Sequence, residues 1–298
     1  MSDCSVSKLR GKNKKEVAAN MIRLIAIDLD DTLIAPNGQI PPANLAALRR
    51  VRDAGVQVVI ATARGYAGAK RFYDPLELTT PMIVSSGSNV VDGQTGAVLR
   101  RRLLPLDFAR KVAQFAQTHD IALRVYVGSE VWNNFDYDPV NGTNRTIERT
   151  VEQLPERLVD EPYQIFVKGN RESQLLLEAF GEAGDGYCCR HHVYGDGISE
   201  LNILHPKATK QDALAELCEA LEVPREQVMA LGDSRNDLGM IKWAGIGVAM
   251  RWSPPEVQAV ADWVLPADAE RLTDDEDADV AEALLRFVLS AEAQSKSS

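Results

Sequence analysis

Short apolar runs alternate along the chain with segments that have the period of a helix. RLIAI, VQVVIAT and PMIVSS near the start, and VMALGD and IGVAM near the end, have the length of buried strands. Between them, PANLAALRRVRDAG and KQDALAELCEAL carry apolar residues at the spacing of an amphipathic helix. Alternating strands and helices are typical of parallel β-α-β units, so we predict an α/β fold with these five strands in one Rossmann-like parallel sheet.

The middle of the chain has a different pattern, in which strands outnumber helices. The helical segments LDFARKVAQFAQTH and RESQLLLEAF are separated by strand-like runs such as IALRVYVG and YQIFVKG. Neighbouring strands of this kind favour a separate α+β domain. We therefore predict an inserted domain at 89–198, a discontinuous core at 21–88 and 199–290, a disordered extension at 1–20 and a flexible tail at 291–298.

Composition narrows the class of protein. The chain has 298 residues, 45% of them hydrophobic, which is enough for a sizeable core, and no apolar run approaches the ~20 residues of a membrane helix. A net charge of −10 disfavours nucleic acid and membrane surfaces as partners, because both require clustered Lys and Arg. Four cysteines without a C-x-x-C pair favour a reducing compartment, so we predict a cytoplasmic protein. The oligomeric state is left open by the sequence.

Polar side chains follow three of the predicted strands at the point where each strand ends. LIAI ends at Asp28, VQVVIA ends at Thr62 and VMALG ends at Asp233. The carboxyl ends of parallel strands meet at one edge of a sheet, and open α/β sheets bind their ligands in the crevice there. We therefore expect these side chains to share one site.

Four carboxylates are expected at this edge. Asp28 and Asp30 follow the first strand, and Asp233 and Asp237 lie four positions apart in GDSRND, which predicts that both lie on one side of a starting helix with Asn236 beside them. Such a cluster is costly unless a hard cation neutralises it, and carboxylate oxygens completed by phosphate oxygens suit Mg²⁺. The sequence thus predicts a Mg²⁺ site for a phosphorylated ligand.

A phosphate group also requires donors. Thr62 offers a hydroxyl, and a lysine in LHPKATKQDAL offers a compact cation. Lys210 is preferred to Lys207 because it stands at the start of the helical pattern, four residues before Leu214, whereas Lys207 follows a proline in the preceding loop.

Taken in order, DLDDT, ATAR, PKATK and GDSRND resemble the four motifs of the haloacid dehalogenase superfamily, and in particular the Cof-like phosphatases. The later runs GVAM and ADWV and the large insertion between the second and third motifs also match that family. The resemblance implies a Mg²⁺-dependent phosphatase with an inserted α/β cap that closes over the site and selects the leaving group. Its partner would be a small phosphate ester, with sugar phosphates expected first and nucleotide or flavin phosphates second.

The resemblance also implies a role for each motif aspartate. Asp28 would attack the phosphorus to form an aspartyl-phosphate, and Asp30 would protonate the leaving alkoxide and then activate the hydrolytic water. Mg²⁺ would be held by Asp28, the backbone carbonyl of Asp30 and Asp233, with Asp237 supporting it.

The same resemblance assigns the phosphoryl oxygens to Thr62, Lys210 and backbone amides around Leu29 and Ala63, with Asn236 helping to set its loop. Some positions depart from the family pattern. Ala63 replaces a common glycine, Ser86 an asparagine, and in MRWS a glycine and an asparagine become Arg251 and Trp252. None of these changes touches the four motif aspartates, so they concern substrate identity more than catalysis.

Other interpretations stay open. DLDDT alone could form an Asx turn and SRND alone a helix cap, with no catalytic role. A phosphomutase would return the phosphoryl group to a rotated substrate, and a regulator would bind a phosphorylated metabolite without turnover.

Two segments of the insertion are candidates for binding. SEVWNNFDYD suggests a polyol-binding lip, with Trp132, Asn134 and Tyr137 as substrate residues, or else a surface loop anchored by Trp132. CCRHH looks like a string of metal ligands, but strand alternation would point its four cysteine and histidine side chains to opposite faces.

Overall fold

The structure is a computed structural model that describes residues 22–136, 147–193, 197–265 and 279–289. The predicted extension at 1–20 and tail at 291–298 lie outside these residues. The described chain divides into two compact units, of which the first contains the residues up to Leu99 and from Thr209 onwards, and the second is Arg100–Ala208.

The described residues form fifteen strands and nine α-helices. The strands are β1 (Leu24–Ile27), β2 (Gln57–Ile60), β3 (Met82–Val84), β4 (Asn89–Val91), β5 (Val98–Arg101), β6 (Leu123–Val127), β7 (Glu130–Asn133), β8 (Ile147–Thr150), β9 (Gln164–Lys168), β10 (Ala183–Gly184), β11 (Tyr187–Val193), β12 (Ser199–Leu204), β13 (Val228–Gly232), β14 (Ile246–Ala249) and β15 (Trp263–Val264). The helices are α1 (Pro42–Asp53), α2 (Tyr66–Tyr73), α3 (Leu106–Thr118), α4 (Leu154–Arg157), α5 (Asn170–Phe180), α6 (Lys210–Ala220), α7 (Leu238–Trp243), α8 (Pro255–Gln258) and α9 (Asp279–Leu284).

A five-stranded parallel sheet organises the first unit. Its strands lie in the order β15-β14-β13-β1-β2, and every pairing is parallel. Ile25 and Ile27 of β1 pack on one face with α1, α2 and α9, while Leu24 and Ala26 pack on the other face with α6 and α7. Both faces are therefore covered, which explains why these strands are continuous apolar runs. The predicted α/β core is confirmed.

One predicted strand is not a full member of this sheet. PMIVSS forms β3, which meets the end of β2 through a single bridge between Ala61 and Ile83 and pairs antiparallel with β4. The chain reverses tightly between β3 and β4, where Ser85 and Ser86 have positive φ angles of 51° and 56°. The expectation of five strands in one sheet was wrong on this member, because β3 belongs to a three-stranded sheet with β4 and β5.

The second unit is built on a seven-stranded sheet in the order β10-β11-β12-β9-β6-β7-β8. Its pairings are antiparallel except for β7 with β8. Alternate residues of the strands, such as Leu123 and Val125 in β6, are buried against α3 and α5. This is the α+β architecture that the sequence predicts for the insertion.

The boundaries between the two units lie later in the chain than predicted. β4 lies in the first unit because it pairs with β3, and β12 lies in the second unit because it pairs with β9 and β11. The predicted limits at 88/89 and 198/199 thus differ from the structure by about one strand at each end. Among the described residues, every helix is too short or too polar to cross a bilayer.

Candidate active site

The carboxyl ends of β1 and β13 bring distant residues together. Asp28 directly follows β1, and its amide donates to the carbonyl of Leu231 in β13 at 3.0 Å. Asp233 directly follows β13, and its carboxylate accepts a hydrogen bond from the Thr32 hydroxyl at 3.0 Å. The predicted meeting of these strand ends is present in the structure.

Lys210 is buried between two of the aspartates. It is the first residue of α6, whose N-cap is Thr209, and its side chain is fully enclosed. The ammonium nitrogen lies 2.6 Å from Oδ1 of Asp28 and 2.6 Å from Oδ1 of Asp237. A buried ammonium is stable only with such charged partners, so the helix start is fixed against the strand end by this contact.

Asp237 is held by the turn that precedes α7. Its Oδ2 accepts hydrogen bonds from the amides of Asp233 and Ser234 at 3.3 and 3.1 Å and from the Ser234 hydroxyl at 2.9 Å. A Cβ at Gly232 would lie 2.5 Å from the Cβ of Asp237, so the turn requires glycine there. α7 begins only at Leu238, so the prediction that a starting helix places both aspartates was wrong, and the turn places them instead.

Three carboxylates form the cluster. Oxygen atoms of Asp28, Asp233 and Asp237 all lie within 4.8 Å of one another. When ionised, they carry three negative charges against the one positive charge of Lys210, which leaves two negative charges. Hard oxygen donors and this charge fit a divalent Mg²⁺ ion.

The electrostatics of the cluster appear in the pKa values of its members. Burial and repulsion from Asp237 raise the pKa of Asp28 to about 8, and Lys210 offsets part of this effect. Burial also raises the pKa of Asp233 to about 6, with repulsion from Asp237 adding to it and the Thr32 hydrogen bond opposing it. The folded site therefore favours an additional positive charge.

Asp30 does not join this cluster. Its carboxylate forms a bidentate pair with Arg64, with Nε at 2.8 Å and Nη2 at 2.5 Å, and this hydrogen bonding holds the pKa of Asp30 below its ordinary value. Three carboxylates converge instead of the expected four, because the carboxylate of Asp30 is paired with Arg64. Arg64 belongs to the quoted ATAR run, but no role for it is predicted from the sequence.

Thr62 and Ala63 form the turn after β2. The Thr62 amide donates to the carbonyl of Ile83 at 2.9 Å, and its hydroxyl oxygen accepts from the amide of Arg64 at 3.1 Å. The buried hydroxyl can still donate its own hydrogen. Ala63 is exposed.

The loop after β3 approaches the start of α6 closely. Gly87 has a φ of +93°, and a Cβ there would lie 2.2 Å from the carbonyl oxygen of Thr209 and 2.7 Å from the amide nitrogen of Lys210. Only glycine permits this approach. This support for Lys210 is not predicted from the sequence, because its signal is a single glycine in SSGSN.

The two remaining candidates for this site are exposed. Asn236 accepts a hydrogen bond from the Ser234 hydroxyl at 2.8 Å, which fits a role in the loop. Lys207 is exposed in the segment after β12, whereas Lys210 is enclosed on the aspartates.

The specificity candidates in the second unit have internal partners. Trp132 is buried in β7, and its indole N–H donates to Glu130 at 2.6 Å. The Asn134 amide group accepts from the Leu123 amide at 2.7 Å and donates to the Ile121 carbonyl at 2.8 Å. Part of the predicted loop is thus strand β7, and a role of these residues in substrate binding stays a prediction. Tyr137 lies outside the described residues.

CCRHH lies in β11. Within the part of the chain that the structure describes, Asp28, Asp233 and Asp237 form the one group of three or more acidic, histidine or cysteine side chains close enough to share a metal ion.

The chain is similar to known proteins over most of its length. A family model described as haloacid dehalogenase-like hydrolase matches residues 25–271. The chain is 27% identical to the 5-amino-6-(5-phospho-D-ribitylamino)uracil phosphatase YitU of Bacillus subtilis, over 76% of this chain and 86% of that one. It is 28% identical to the pyridoxal phosphate phosphatase YbhA of Escherichia coli, over 82% and 93%. A crystal structure of a haloacid dehalogenase-like hydrolase from Bacteroides thetaiotaomicron is similar with a TM-score of 0.71 and 26% identity, over 89% of this chain and 99% of that one.

Proposed function

The chain belongs to the haloacid dehalogenase-like hydrolases and is a phosphoric monoester hydrolase, and we propose that it dephosphorylates small metabolites with Mg²⁺ through an aspartyl-phosphate. The observation that carries the proposal is the buried Asp28–Lys210–Asp237 contact beside Asp233, at the carboxyl edge of the parallel sheet. A nucleophilic carboxylate, a fixed ammonium and a charge that fits a divalent ion are what phosphoryl transfer from an ester requires.

Asp28 is the proposed nucleophile. Lys210 binds its Oδ1, which orients the carboxylate so that Oδ2 can attack the phosphorus. The bond from Oδ2 to phosphorus forms as the bond from phosphorus to the ester oxygen breaks, and the alcohol leaves. Water then attacks the phosphorus, which releases inorganic phosphate and restores the Asp28 carboxylate.

Asp30 is the proposed general acid and base. The hydrogen bond from Arg64 lowers the pKa of Asp30 and so favours the carboxylate, the form that accepts a proton from the hydrolytic water. The first step requires the protonated form, so we expect the bound ester to displace Arg64 from Asp30. Arg64 is thus assigned a positioning role toward the Asp30 carboxylate in the protein without a bound ester.

The remaining motif residues are proposed to bind the phosphoryl oxygens and the metal ion. Thr62, Lys210 and the amides around Leu29 and Ala63 are proposed to bind the phosphoryl oxygens, with Asn236 supporting its loop. Bound Mg²⁺, held by Asp28, the carbonyl of Asp30 and Asp233 with Asp237 behind them, would neutralise charge that develops on the phosphoryl group.

The substrate is proposed to be a small phosphorylated metabolite, with sugar phosphates first and nucleotide or flavin phosphates second. The named relatives act on a ribitylaminouracil phosphate and on pyridoxal phosphate, both of which combine a phosphate ester with a heterocyclic ring. We assign the cap role to the second unit. Free Cys188, Cys189 and Cys218 fit the predicted cytoplasmic location.

The proposed function is tested by inorganic phosphate release from sugar, nucleotide and cofactor phosphates, with Mg²⁺ or with a chelator. We expect phosphate release that requires Mg²⁺. Its rate should differ between the esters and so rank them as substrates. Conversion of an ester to its positional isomer without phosphate release would favour a phosphomutase. Thermal stabilisation by an ester with no reaction at all would favour a binding regulator.

Replacement of Asp30 by asparagine tests the acid and base role. Alkyl phosphates depend on protonation of a poor leaving group, so we expect their turnover to fall by about 10²–10⁴-fold. p-Nitrophenyl phosphate has a good leaving group, and its first step should persist while hydrolysis of the aspartyl-phosphate stalls. Rapid mixing should therefore show a burst of about one p-nitrophenolate per protein. An equal loss on both kinds of ester, without a burst, would contradict the role.

A further inference from the structure

The loop after β14 presents an aromatic side chain to solvent. Met250 and Ser253 are buried, whereas Trp252 between them is 48% exposed. Its indole N–H donates to the backbone carbonyl of Asp31 at 2.9 Å. The exposed ring is therefore fixed at one edge and does not move independently of the turn that it contacts.

That turn carries the proposed acid and base. Asp31 has a φ of 54°, and it directly follows Asp30, so their Cα atoms lie about 3.8 Å apart. The indole is thus hydrogen-bonded to the residue that follows the proposed proton donor to the leaving alkoxide. An ester that reacts here would place its ester oxygen at Asp30.

A cation further restricts the ring. The guanidinium carbon of Arg251 lies 5.4 Å from the centroid of the Trp252 ring, and the Arg251 side chain extends to within 3.9 Å of a carboxylate oxygen of Asp279. A cation over the face of an indole attracts it. The ring therefore has a fixed edge and a neighbouring cation while much of its surface stays open, an arrangement that suits stacking with a flat ligand.

We propose that Trp252 determines specificity by stacking on a planar aromatic ring that lies one or two carbons from the ester oxygen of the substrate. The inference rests on the proposed function, which puts the leaving group at Asp30, the residue before the hydrogen-bond acceptor of the indole. It changes the order given above for the substrates, because it ranks aromatic esters of the pyridoxal phosphate kind ahead of simple sugar phosphates. It assigns this selection to the first unit.

The test measures binding, which does not depend on turnover. Benzyl phosphate and cyclohexylmethyl phosphate have the same phosphate and similar size, but only the first is planar and aromatic. Their dissociation constants are measured with Mg²⁺ in Asp28→Asn protein that carries Trp252, Trp252→Ala or Trp252→Phe. We expect preference for the benzyl ester to fall about tenfold in Trp252→Ala and to be largely retained in Trp252→Phe, because the latter keeps a ring.

Three outcomes would overturn the inference. The Trp252 protein could bind both esters equally, Trp252→Ala could weaken both by the same factor, or Trp252→Phe could lose as much preference as Trp252→Ala. The second outcome would indicate support of the Asp30–Asp31 turn, and the third would indicate the hydrogen bond to Asp31. Melting temperatures establish that each variant is folded. Failure of the proposed function would appear separately, as absence of phosphate release from the unmodified protein.

Discussion

Replacement of Asp28 by asparagine is expected to lower phosphate release at least about a thousandfold, the scale seen when an enzyme loses its nucleophile. An amide cannot attack phosphorus, while its oxygen can still accept the hydrogen bond that Lys210 now makes to Oδ1 of Asp28. The variant should therefore stay folded and lose its chemistry. The measurement is Mg²⁺-dependent phosphate release under single-turnover conditions, which would also detect a slow first step.

Stability separates loss of chemistry from loss of folding in this variant. The pKa of Asp28 is raised from 3.8 to about 8 in the folded protein, so ionisation opposes folding increasingly as pH rises from about 4 to 8. Asparagine removes that opposition, and metal-free Asp28→Asn should be at least as stable as the unmodified protein near pH 8. A variant that is inactive because it unfolds would show the opposite.

Asp31→Asn is the matched control for this substitution. Asp31 lies three residues further along, is exposed, and contributes no oxygen to the carboxylate cluster. Asparagine also tolerates its positive φ. Phosphate release should change by no more than about threefold, in the range of ordinary surface substitutions. A loss in Asp31→Asn as large as in Asp28→Asn would remove the argument for Asp28 as the nucleophile.

The position of the site could be predicted from the sequence because strand ends determine it. Asp28 and Asp233 follow buried apolar runs, and parallel pairing of those runs leaves their ends at one edge. Beyond a strand end, the direction of a side chain depends on its local partners. Asp30 lies only two residues after Asp28, but its carboxylate pairs with the guanidinium of Arg64 instead of joining the cluster. This partner has no periodic signal in the sequence.

The candidates in the insertion rest on a weaker signal. SEVWNNFDYD has the composition of a binding loop, but its first part pairs with β6 and β8 as strand β7. Composition does not distinguish an exposed polar loop from a strand whose polar groups satisfy each other, as Trp132 with Glu130 does. Trp252 shows the reverse case, because only the structure reveals that its ring is exposed and attached to the Asp31 carbonyl.

Replacement of Lys210 by methionine is expected to lower the free energy of unfolding of the metal-free protein by about 3–5 kcal/mol, the usual cost when one partner of a buried ion pair is removed. Methionine fills a similar volume but leaves Asp28 and Asp237 without the ammonium that now lies 2.6 Å from each. Urea unfolding in the presence of a chelator gives the value, and phosphate release should fall together with it because a phosphoryl ligand is lost.

Lys207→Met is the matched control, since it removes the same charge from an exposed position three residues earlier and should change the unfolding free energy by less than about 0.5 kcal/mol. The gap between the two variants should widen above about pH 8. There the folded Asp28 of Lys207→Met ionises beside Lys210, whereas its pKa in Lys210→Met is raised further and the unfolded aspartate is ionised in both. Added Mg²⁺ should narrow the gap by supplying positive charge to the same oxygens. A gap that is absent at pH 8 in chelator would show that Lys210 does not neutralise the cluster, and would remove the charge argument on which the Mg²⁺ site rests.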